Sequence, residues 1–425
     1  MLHEAGVDVA VLEARERIGG RVFTRQDPLL PVPIELGAEF VHGSAPELRE
    51  IARDARLAIV DIDGQRWQSN GRTLRRLEDF WSVLESVMRR LDSNRNPDRS
   101  FQQFLNTRPG GSRLARARAF ALEYVKGFHA ADPSRISERA LADGGSPGDD
   151  VRERRIGRLL AGYDAVPEWI SRAIGNRIRL GAVVSAIHWR PGAVSIDMRR
   201  ANGDSLTALD ARVAIITVPL GVLQSVPDAP GAIDFDPPVG GVKSQALRGM
   251  ELGAVTRLTL HVREPFWTSK SFMRRAKSQN LDRLSFLHTH DPDFPVWWTA
   301  YPVSAPTIVA WTGGTRAREL ASLDEEQIVD RALAALTRQF KLQRRDANRL
   351  VTAAWTHNWE ADPYTRGAYS YVVVGGDDAP AKLARPLRRT LFFAGEASDP
   401  EGRTGTVHGA IATGHRAAKQ VLRAL

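Results

Sequence analysis

A glutamate followed six residues later by two glycines, close to the start of the chain, constrains the fold more than any other feature. Residues 7–13 are predicted to form a buried β-strand that ends at Glu13. In a dinucleotide-binding α/β fold, an acidic residue at such a strand end hydrogen-bonds the ribose of the nucleotide. The turn Gly19-Gly20-Arg21 would let the backbone approach a pyrophosphate, and Arg21 could pair with it through two hydrogen bonds. These residues predict a nucleotide site in the first part of the chain.

The far end of the chain carries a complementary segment. Residues 391–418 read LFFAGEASDPEGRTGTVHGAIATGHRAA, which predicts a buried strand at Leu391–Ala394, a turn, a loop and a closing helix over Thr406–Leu425. A helix N-terminus carries roughly half a positive charge and free N–H groups. The start of this helix could therefore stabilise negative charge on a bound cofactor.

Together, the segments Val11–Thr24 and 391–418 closely resemble the flavin amine oxidase family, which includes monoamine oxidases, polyamine oxidases and flavin-type histone lysine demethylases. The resemblance covers almost the whole chain. It implies an FAD-dependent oxidoreductase that removes a hydride equivalent from the carbon next to an amine nitrogen. Between the two ends it is carried by Glu35–Ala38, Gly162–Asp164, Val218–Gly221, Glu264–Trp267 and Arg366–Tyr369.

The resemblance also implies an architecture. We expect an α/β protein with a Rossmann-like FAD-binding domain and an α+β substrate-binding domain. Two domains agree with a length of 425 residues, which exceeds what one hydrophobic core usually supports. The FAD-binding domain would be built from residues 1–75, 157–245 and 365–425, and the substrate-binding domain from the insertions 76–156 and 246–364.

The nucleotide fold lacks its usual beginning in this sequence. The dinucleotide fingerprint places its acidic residue about 20 residues after a glycine-rich turn, whereas only twelve residues precede Glu13 and the pattern G-x-G-x-x-G occurs nowhere. We therefore expect an N-terminally truncated chain whose first strand and glycine-rich turn precede Met1. A translation start assigned too late would explain this, and a degenerate gene or completion by another polypeptide are the alternatives. The chain as written is expected to bind FAD poorly, so an inactive remnant is a further alternative.

The resemblance assigns cofactor contacts to matching positions. It implies that Glu13 binds the ribose, that Arg15 and Arg21 lie around the phosphates, and that Glu396 lies near the ribityl and pyrophosphate part. Because Ala368 stands where monoamine oxidases have the cysteine that tethers FAD, the cofactor is expected to be non-covalent. The other implied contacts are Gly19, Gly20, Val184 at the adenine, Pro219, Gly395, Thr406, and Val407 beneath the pyrimidine edge of the flavin.

Several positions are expected to act at the reactive face. Tyr369 matches one aromatic wall of the family's substrate cage. Thr406 occupies the second wall, where monoamine oxidases have tyrosine and the histone demethylases have threonine. Trp359 and Tyr364 match positions that pack around the flavin, with a core aromatic as the alternative for each. His42 falls near the substrate tunnel, with a structural histidine as the alternative.

Arg257 departs from the family, which usually has a lysine at this position that holds a water beside flavin N5. Arginine keeps the positive charge but does not give up a proton, and its planar group needs different partners. The electron acceptor is therefore open at this point. An oxidase would use O2 and form an imine and H2O2, whereas a flavin dehydrogenase or desaturase would use another acceptor.

Composition limits the partners and sites of the chain. With no cysteine and no metal-ligand spacing among ten histidines, no metal site is expected. No apolar run is long enough to span a bilayer and residues 1–20 show no secretory signal, so we expect a cytoplasmic protein without a membrane partner. The basic cluster Arg152–Arg158 is interpreted as a solvated helix face rather than a nucleic-acid site.

The substrate is predicted to be a small-molecule amine. A net charge of +9 would attract cationic polyamines poorly. Thr406 weighs against small aromatic monoamines, and an amino acid is an alternative because arginines could hold its carboxylate. These features leave the oligomeric state unknown.

Overall fold

Helices and strands are mixed along the chain. The strands form several two-stranded pairs, two small sheets and one large sheet. The computed structural model describes residues 1–71, 73–144, 155–270 and 281–425. Residues 152–154 of the basic cluster lie outside these ranges. The mixture of elements confirms the predicted α/β fold class. Among the described residues, no helix has the length and apolar composition that a membrane span requires.

Two short parallel strand pairs bring distant parts of the chain together. Val11–Leu12 pairs with Ile178–Arg179, and Ala214–Ile216 pairs with Leu391–Phe393. Both pairs contribute side chains to one hydrophobic cluster. The closing helix Val407–Leu422 follows, and its N-cap places a threonine hydroxyl 3.0 Å from the third backbone N–H of the helix.

Small sheets and helices complete this side of the molecule. One four-stranded sheet has the order Ser205–Ala211, Ala193–Arg199, Val183–Arg190, Asp234–Asp236, and a three-stranded sheet has the order Phe40–His42, Ile156–Leu159, Ile59–Asp61. Two further pairs are Thr24–Arg25 with Ile34–Glu35 and Met250–Leu252 with Ser370–Val372. The helices are Pro46–Asp54, Ala165–Ser171, Leu220–Leu223, Val242–Arg248 and Ala379–Ala384.

Seven strands form the large sheet, which is antiparallel except for one parallel pairing between Leu284–His288 and Gln65–Ser69. The helix Glu325–Phe340 buries one face against the sheet, and Asp324 and Gln327 close its start with a capping box. Two shorter helices, Thr315–Leu320 and Arg344–Leu350, flank it. The strand order is Val351–Thr356, Val255–Val262, Thr307–Gly313, Val296–Thr299, Leu284–His288, Gln65–Ser69, Leu74–Arg76.

Helices with a separate core flank this sheet. They are Phe80–Met88, Phe101–Asn106, Ala115–Phe128 and Glu138–Asp143. The second of them lies in the stretch 93–113, for which the sequence predicted loops. Its start is fixed by a capping box in which the Ser100 hydroxyl accepts from the Gln103 backbone and the Gln103 side chain accepts in return.

Two other element predictions are wrong in their bounds. The strand predicted over 7–13 is reduced to Val11–Leu12, which pairs along one edge only. Apolar residues at helical spacing from Leu74 onwards predict a helix, but the helix begins at Phe80, because Leu74 belongs to a strand that pairs with Gln65–Ser69. The division into two domains stays a prediction.

Candidate active site

A large cavity lies between the two terminal segments. Its volume is about 1890 Å³, against roughly 300–1,000 Å³ for the pocket of a drug-sized ligand. Glu13, Arg15 and the turn at Gly19–Arg21 form one part of its wall, and the segments at Gly395–Glu396 and Thr406–Val407 form another. The structure therefore brings both predicted segments to one cavity, which has room for an elongated cofactor and a substrate.

Arg21 ties the first segment to the last. Its Nη1 donates to Oε1 of Glu396 at 2.8 Å and to the carbonyl oxygen of Ala368 at 2.7 Å. Glu396 is 4% exposed and also accepts from the hydroxyl of Ser370 at 2.6 Å and from the backbone N–H of Gly405 at 2.7 Å. One carboxylate thus holds together the glycine turn, the strand at Ser370 and the loop before the closing helix.

The partners of Glu396 keep it ionised. Burial raises its pKa, but the charge of Arg21 and the hydrogen bonds from Ser370, Arg21 and Gly405 outweigh burial, so the pKa of Glu396 lies below its usual value. Among the described residues, the hydrogen bonds of the Arg21 side chain start only from Nη1. Its Nε and Nη2 are left for a ligand such as a phosphate.

Glu13 and Arg15 both line the cavity but differ in what they already bind. Oε1 of Glu13 accepts from the backbone N–H of Arg15 at 2.8 Å, and burial raises the pKa of Glu13 despite this bond. Among the described residues, no group donates to its Oε2, which can therefore accept from a ribose hydroxyl. Nη2 of Arg15 donates to Asp362 and to Thr365, each at 2.7 Å. If Arg15 contacts a phosphate, it would have to do so while it keeps its hydrogen bonds to Asp362 and Thr365.

The glycine turn presents open backbone to the cavity. Gly19 and Gly20 have φ angles of 96° and 58°, a region that favours glycine. A Cβ at Gly19 would lie 2.7 Å from the carbonyl oxygen of Val22, whereas a Cβ at Gly20 would meet no atom within 4 Å. Gly19 is therefore required by the packing of the turn, and Gly20 offers free space to a ligand.

This end of the cavity fits the nucleotide cofactor that the resemblance implies. The free oxygen of Glu13 suits a ribose hydroxyl, and the backbone at Gly20 allows a phosphate to approach closely. The N-terminus of the closing helix suits an electron-rich ring edge. Val184 and Pro219 line the same cavity. The individual contacts to the cofactor stay predictions.

Beyond the start of the closing helix, the cavity continues into a chamber walled by aromatic rings. Tyr369 packs on Gly405, where a Cβ would lie 3.2 Å from its ring, and its hydroxyl donates to the carbonyl oxygen of Phe128 at 2.8 Å. Phe128 stacks on Tyr124 with ring centroids 5.0 Å apart and lies 5.3 Å from the ring of His42. This part of the cavity can hold an apolar carbon chain.

His42 and Trp359 add uncharged rings to the wall. Burial lowers the pKa of His42 to about 4, with smaller effects from His408 and Arg66, so its ring is neutral at pH 7. Nε1 of Trp359 donates to the carbonyl oxygen of Leu36 at 2.9 Å, and the side chain is 4% exposed. Trp359 is therefore fixed in the core and also lines the cavity.

Arg257 lies in the cavity wall with its charge compensated inside the protein. It donates to Glu39 at 2.5 Å and to the carbonyl oxygen of Gly37 at 3.2 Å, and Glu39 also binds Arg158 and the indole N–H of Trp298. Burial raises the pKa of Glu39, but Arg257 and Arg158 outweigh it, so the pKa lies below its usual value. Two guanidinium groups share one carboxylate, which leaves this cluster with a net positive charge.

Sequence reasoning missed the residues that build the far end of the chamber. Arg66 and His288 line the cavity from two neighbouring strands, and Tyr124 and Phe128 line it from one helix, where they are four residues apart. The one available signal is the alternation of the strand Gln65–Ser69, which buries Trp67 and turns its neighbours to the opposite face. Among the described residues, no cluster of potential ligands is placed to hold a metal ion.

Comparison with known proteins gives matches along the whole chain. The family model described as Flavin containing amine oxidoreductase matches residues 1–422. Polyamine oxidase 2 of Arabidopsis thaliana is 28% identical, over 98% of this chain and 84% of that protein. Lysine-specific histone demethylase 2 of Homo sapiens is 24% identical, over 99% of this chain and 51% of that protein.

Solved structures show a similar fold. Wild-type putrescine oxidase bound to putrescine superposes with a TM-score of 0.79 at 20% identity, covering 99% of this chain and 95% of that one. Cyclohexylamine oxidase from Brevibacterium oxydans gives a TM-score of 0.77 at 17% identity with the same coverage. At these identities the likeness concerns the fold.

The pair of Arg21 and Glu396 predicts a pH-dependent loss of stability in the variant Glu396→Gln. Removing the charge should lower the free energy of unfolding by about 3 kcal/mol at neutral pH. This value is near the lower end of the range for breaking a buried ion pair, because the side chain of Arg21 is partly exposed. Since the pKa of Glu396 is lower in the folded protein, its contribution is present above the unfolded pKa of about 4.3 and is lost as the pH falls through the folded value.

Urea denaturation followed by tryptophan fluorescence at pH 8, 6 and 3.5 measures this difference. The control is Glu401→Gln in the same loop, whose side chain is 70% exposed, and which should unfold like the wild type. Equal midpoints for the two variants at pH 8 would show that the Arg21–Glu396 pair does not hold the segments together.

Proposed function

The chain belongs to the family of flavin-containing amine oxidoreductases, and from this premise we propose that it oxidises the C–N bond of an amine with O2 as the electron acceptor. As a member of the family it is an oxidoreductase with FAD as its cofactor. The proposed reaction breaks one C–H and one N–H bond, forms a C=N bond, and passes two electrons and two protons to O2 to give H2O2. Water then hydrolyses the imine.

The continuity of one cavity from Glu13 to Tyr369 is the observation that carries this proposal. The end at Glu13 and Gly20 has the groups to bind a nucleotide, and the end at Tyr369 and Phe128 has an apolar wall. Bound FAD supplies the acceptor for a hydride equivalent from the substrate carbon. A substrate in the aromatic chamber would therefore lie beside the reactive ring of the cofactor.

The residues of the chamber would bind the amine in its neutral form and keep water away. Tyr369 is held in place by its hydrogen bond to the Phe128 carbonyl, and we propose that it forms one wall for the substrate, with Thr406 as the second. His42 adds a ring without a charge. Excluding water strengthens the electrostatic interactions of the site and prevents side reactions.

The choice of O2 as acceptor is supported by the net positive charge of the buried cluster of Arg257, Arg158 and Glu39. A fixed positive charge stabilises the negative charge that develops when oxygen accepts an electron. An acceptor other than O2 is the second candidate. It is favoured by the engagement of Arg257 with Glu39 and Gly37, which restricts how it can hold a water molecule.

The substrate is proposed to be a small-molecule amine. The relatives include proteins named polyamine oxidase and a putrescine oxidase bound to putrescine. The net charge of +9 disfavours the long-range attraction of multiply charged amines. A substrate with fewer positive charges is therefore favoured.

Anaerobic mixing with an amine substrate should bleach the flavin absorbance of the purified holoprotein, and admission of air should restore it with about one H2O2 formed per amine oxidised. The variant Tyr369→Ala should lower kcat/KM by about tenfold or more because the substrate loses one wall. Tyr369→Phe, which loses only the hydrogen bond to Phe128, should be much less affected. Bleaching without recovery in air would point to the second acceptor class, and no bleaching with any amine would contradict amine oxidation.

The flavin should be released when the holoprotein is denatured. Ala368 offers no side-chain atom for a covalent bond, and its carbonyl oxygen is occupied by Arg21. Acid precipitation should therefore leave all of the flavin in the supernatant, where its absorbance and chromatographic mobility identify it as FAD. A yellow pellet after washing would mean that another residue forms a covalent link.

The pH dependence should follow the substrate rather than His42. Because burial holds the pKa of His42 near 4, its ring stays unprotonated from pH 5 to pH 9 and contributes no limb to the rate profile in that range. We expect kcat/KM to rise with pH towards the pKa of the substrate amine. His42→Asn should keep the shape of this profile, and loss of an inflection between pH 6 and 7 in the variant would contradict a neutral His42.

A further inference from the structure

One arginine at the substrate end of the cavity lies among aromatic rings, with no anionic partner in the described part of the chain. Arg66 lies in the strand Gln65–Ser69, in register with Phe286 of the neighbouring strand. Its guanidinium carbon is 4.5 Å from the ring centroids of Phe80 and Phe286 and 5.5 Å from that of Trp81. Among residues 1–71, 73–144, 155–270 and 281–425, no Asp or Glu forms an ion pair with it, and no acceptor group hydrogen-bonds its side chain.

The groups around Arg66 are uncharged at neutral pH. Burial raises the pKa of Tyr124 above its usual value, and burial lowers the pKa of His42 to about 4 and that of His288 to about 3. Burial lowers the pKa of Arg66 itself to about 10, so it keeps its proton at pH 7. One positive charge therefore stands in a neutral, largely aromatic part of the chamber.

Three other arginines of the cavity wall are each paired with a carboxylate, whereas Arg116 hydrogen-bonds the side chain of Gln68. Arg257 binds Glu39, Arg15 binds Asp362 and Arg21 binds Glu396. Contacts with aromatic rings stabilise a cation but do not satisfy its hydrogen-bond donors. A guanidinium group has five N–H donors, and those of Arg66 point to no acceptor among the described residues.

We propose that Arg66 binds a carboxylate group of the substrate, so that the enzyme acts on amines whose far end carries a carboxylate. The proposal rests on the function proposed above and narrows its substrate class. A planar guanidinium matches a carboxylate with two parallel hydrogen bonds. The same charge would repel the second ammonium group of a diamine bound in the same orientation.

The packing of the chamber separates the two ends of such a substrate. Tyr369, beside the start of the closing helix, donates to the carbonyl oxygen of Phe128, the last residue of the helix Ala115–Phe128. Phe120, two turns earlier on this helix, packs on Phe80 with ring centroids 5.0 Å apart, and the ring of Phe80 contacts the guanidinium group of Arg66. Two turns of this helix, about 12 Å, therefore separate the contact of Tyr369 from the rings around the cation. The carboxylate should accordingly lie several bonds from the reacting carbon, as in an ω-amino acid rather than an α-amino acid.

The first experiment compares three series of equal chain length on the holoenzyme: ω-amino acids, α,ω-diamines and n-alkylamines. For the wild type, kcat/KM for the best ω-amino acid should exceed that of the matched diamine by about tenfold or more. In Arg66→Met, whose side chain can fill the space between the rings, this preference should disappear while the n-alkylamines change little. Arg66→Lys should restore part of the preference.

The matched control is Arg116→Met, at another arginine of the cavity wall, which hydrogen-bonds Gln68. It should keep the preference of the wild type. Circular dichroism and thermal unfolding establish that each variant is folded. If Arg66→Met does not fold, Arg66→Lys is compared with the wild type instead. Lysine cannot form the two parallel hydrogen bonds of a guanidinium, so the preference for ω-amino acids over diamines should fall at least a few-fold.

A binding measurement separates this inference from the proposed function. Hexanoate, which has no amine to oxidise, is titrated into the holoprotein by calorimetry and by flavin difference spectra. Its Kd should rise about tenfold or more in Arg66→Met and stay unchanged in Arg116→Met. Arg66-dependent hexanoate binding in a protein that oxidises no amine would overturn the proposed function and leave the carboxylate site standing. Amine oxidation with neither hexanoate binding nor substrate preference dependent on Arg66 would overturn the inference alone.

Discussion

The buried ion pair between Arg21 and Glu396 joins residues 375 positions apart, and the rest of the site depends on it. A carboxylate in this position could not stay ionised by itself, because removal from water penalises its charge. Arg21, Ser370 and Gly405 compensate that cost, and in doing so they fix three segments around one point. The cavity exists because the first and last parts of the chain are held at this distance. Because these two parts form opposite walls of the cavity, they create a binding site for an elongated cofactor.

The same rule of compensation distinguishes structural charges from functional ones. Glu39 and Arg257 compensate each other's charge, so this pair stabilises the wall, whereas Arg21 keeps free donors beside its pair with Glu396. Where a charged group has a free donor or acceptor facing the cavity, as at Glu13 and Arg66, affinity for a ligand remains. The free oxygen of Glu13 suits a hydroxyl group of a nucleotide, and the free donors of Arg66 suit a carboxylate. Charge compensation thus divides the cavity into a cofactor end and a substrate end.

Local patterns in the sequence predicted the elements whose contacts are close in sequence. The strand predicted over Leu391–Ala394 is observed over Leu391–Phe393, and the closing helix starts at its threonine cap. The juxtaposition of the two terminal segments could be predicted from a family resemblance but not from spacing. Arg66 could not be identified, because what sets it apart is the lack of a partner, and partners are brought by distant strands and helices. The strand observed at Val11–Leu12 is shorter than the one predicted over 7–13, because hydrophobic character does not show whether one or both edges of a strand pair with a neighbouring strand.

A crystal structure of the FAD-bound protein tests the central claim most directly, namely that both ends of the chain close around one flavin. The account predicts a ribose hydroxyl within hydrogen-bond distance of Glu13, the flavin ring between Tyr369 and the helix start at Val407, and an intact contact between Arg21 and Glu396. A flavin bound outside this cavity, or an Arg21 separated from Glu396 in the complex, would contradict it.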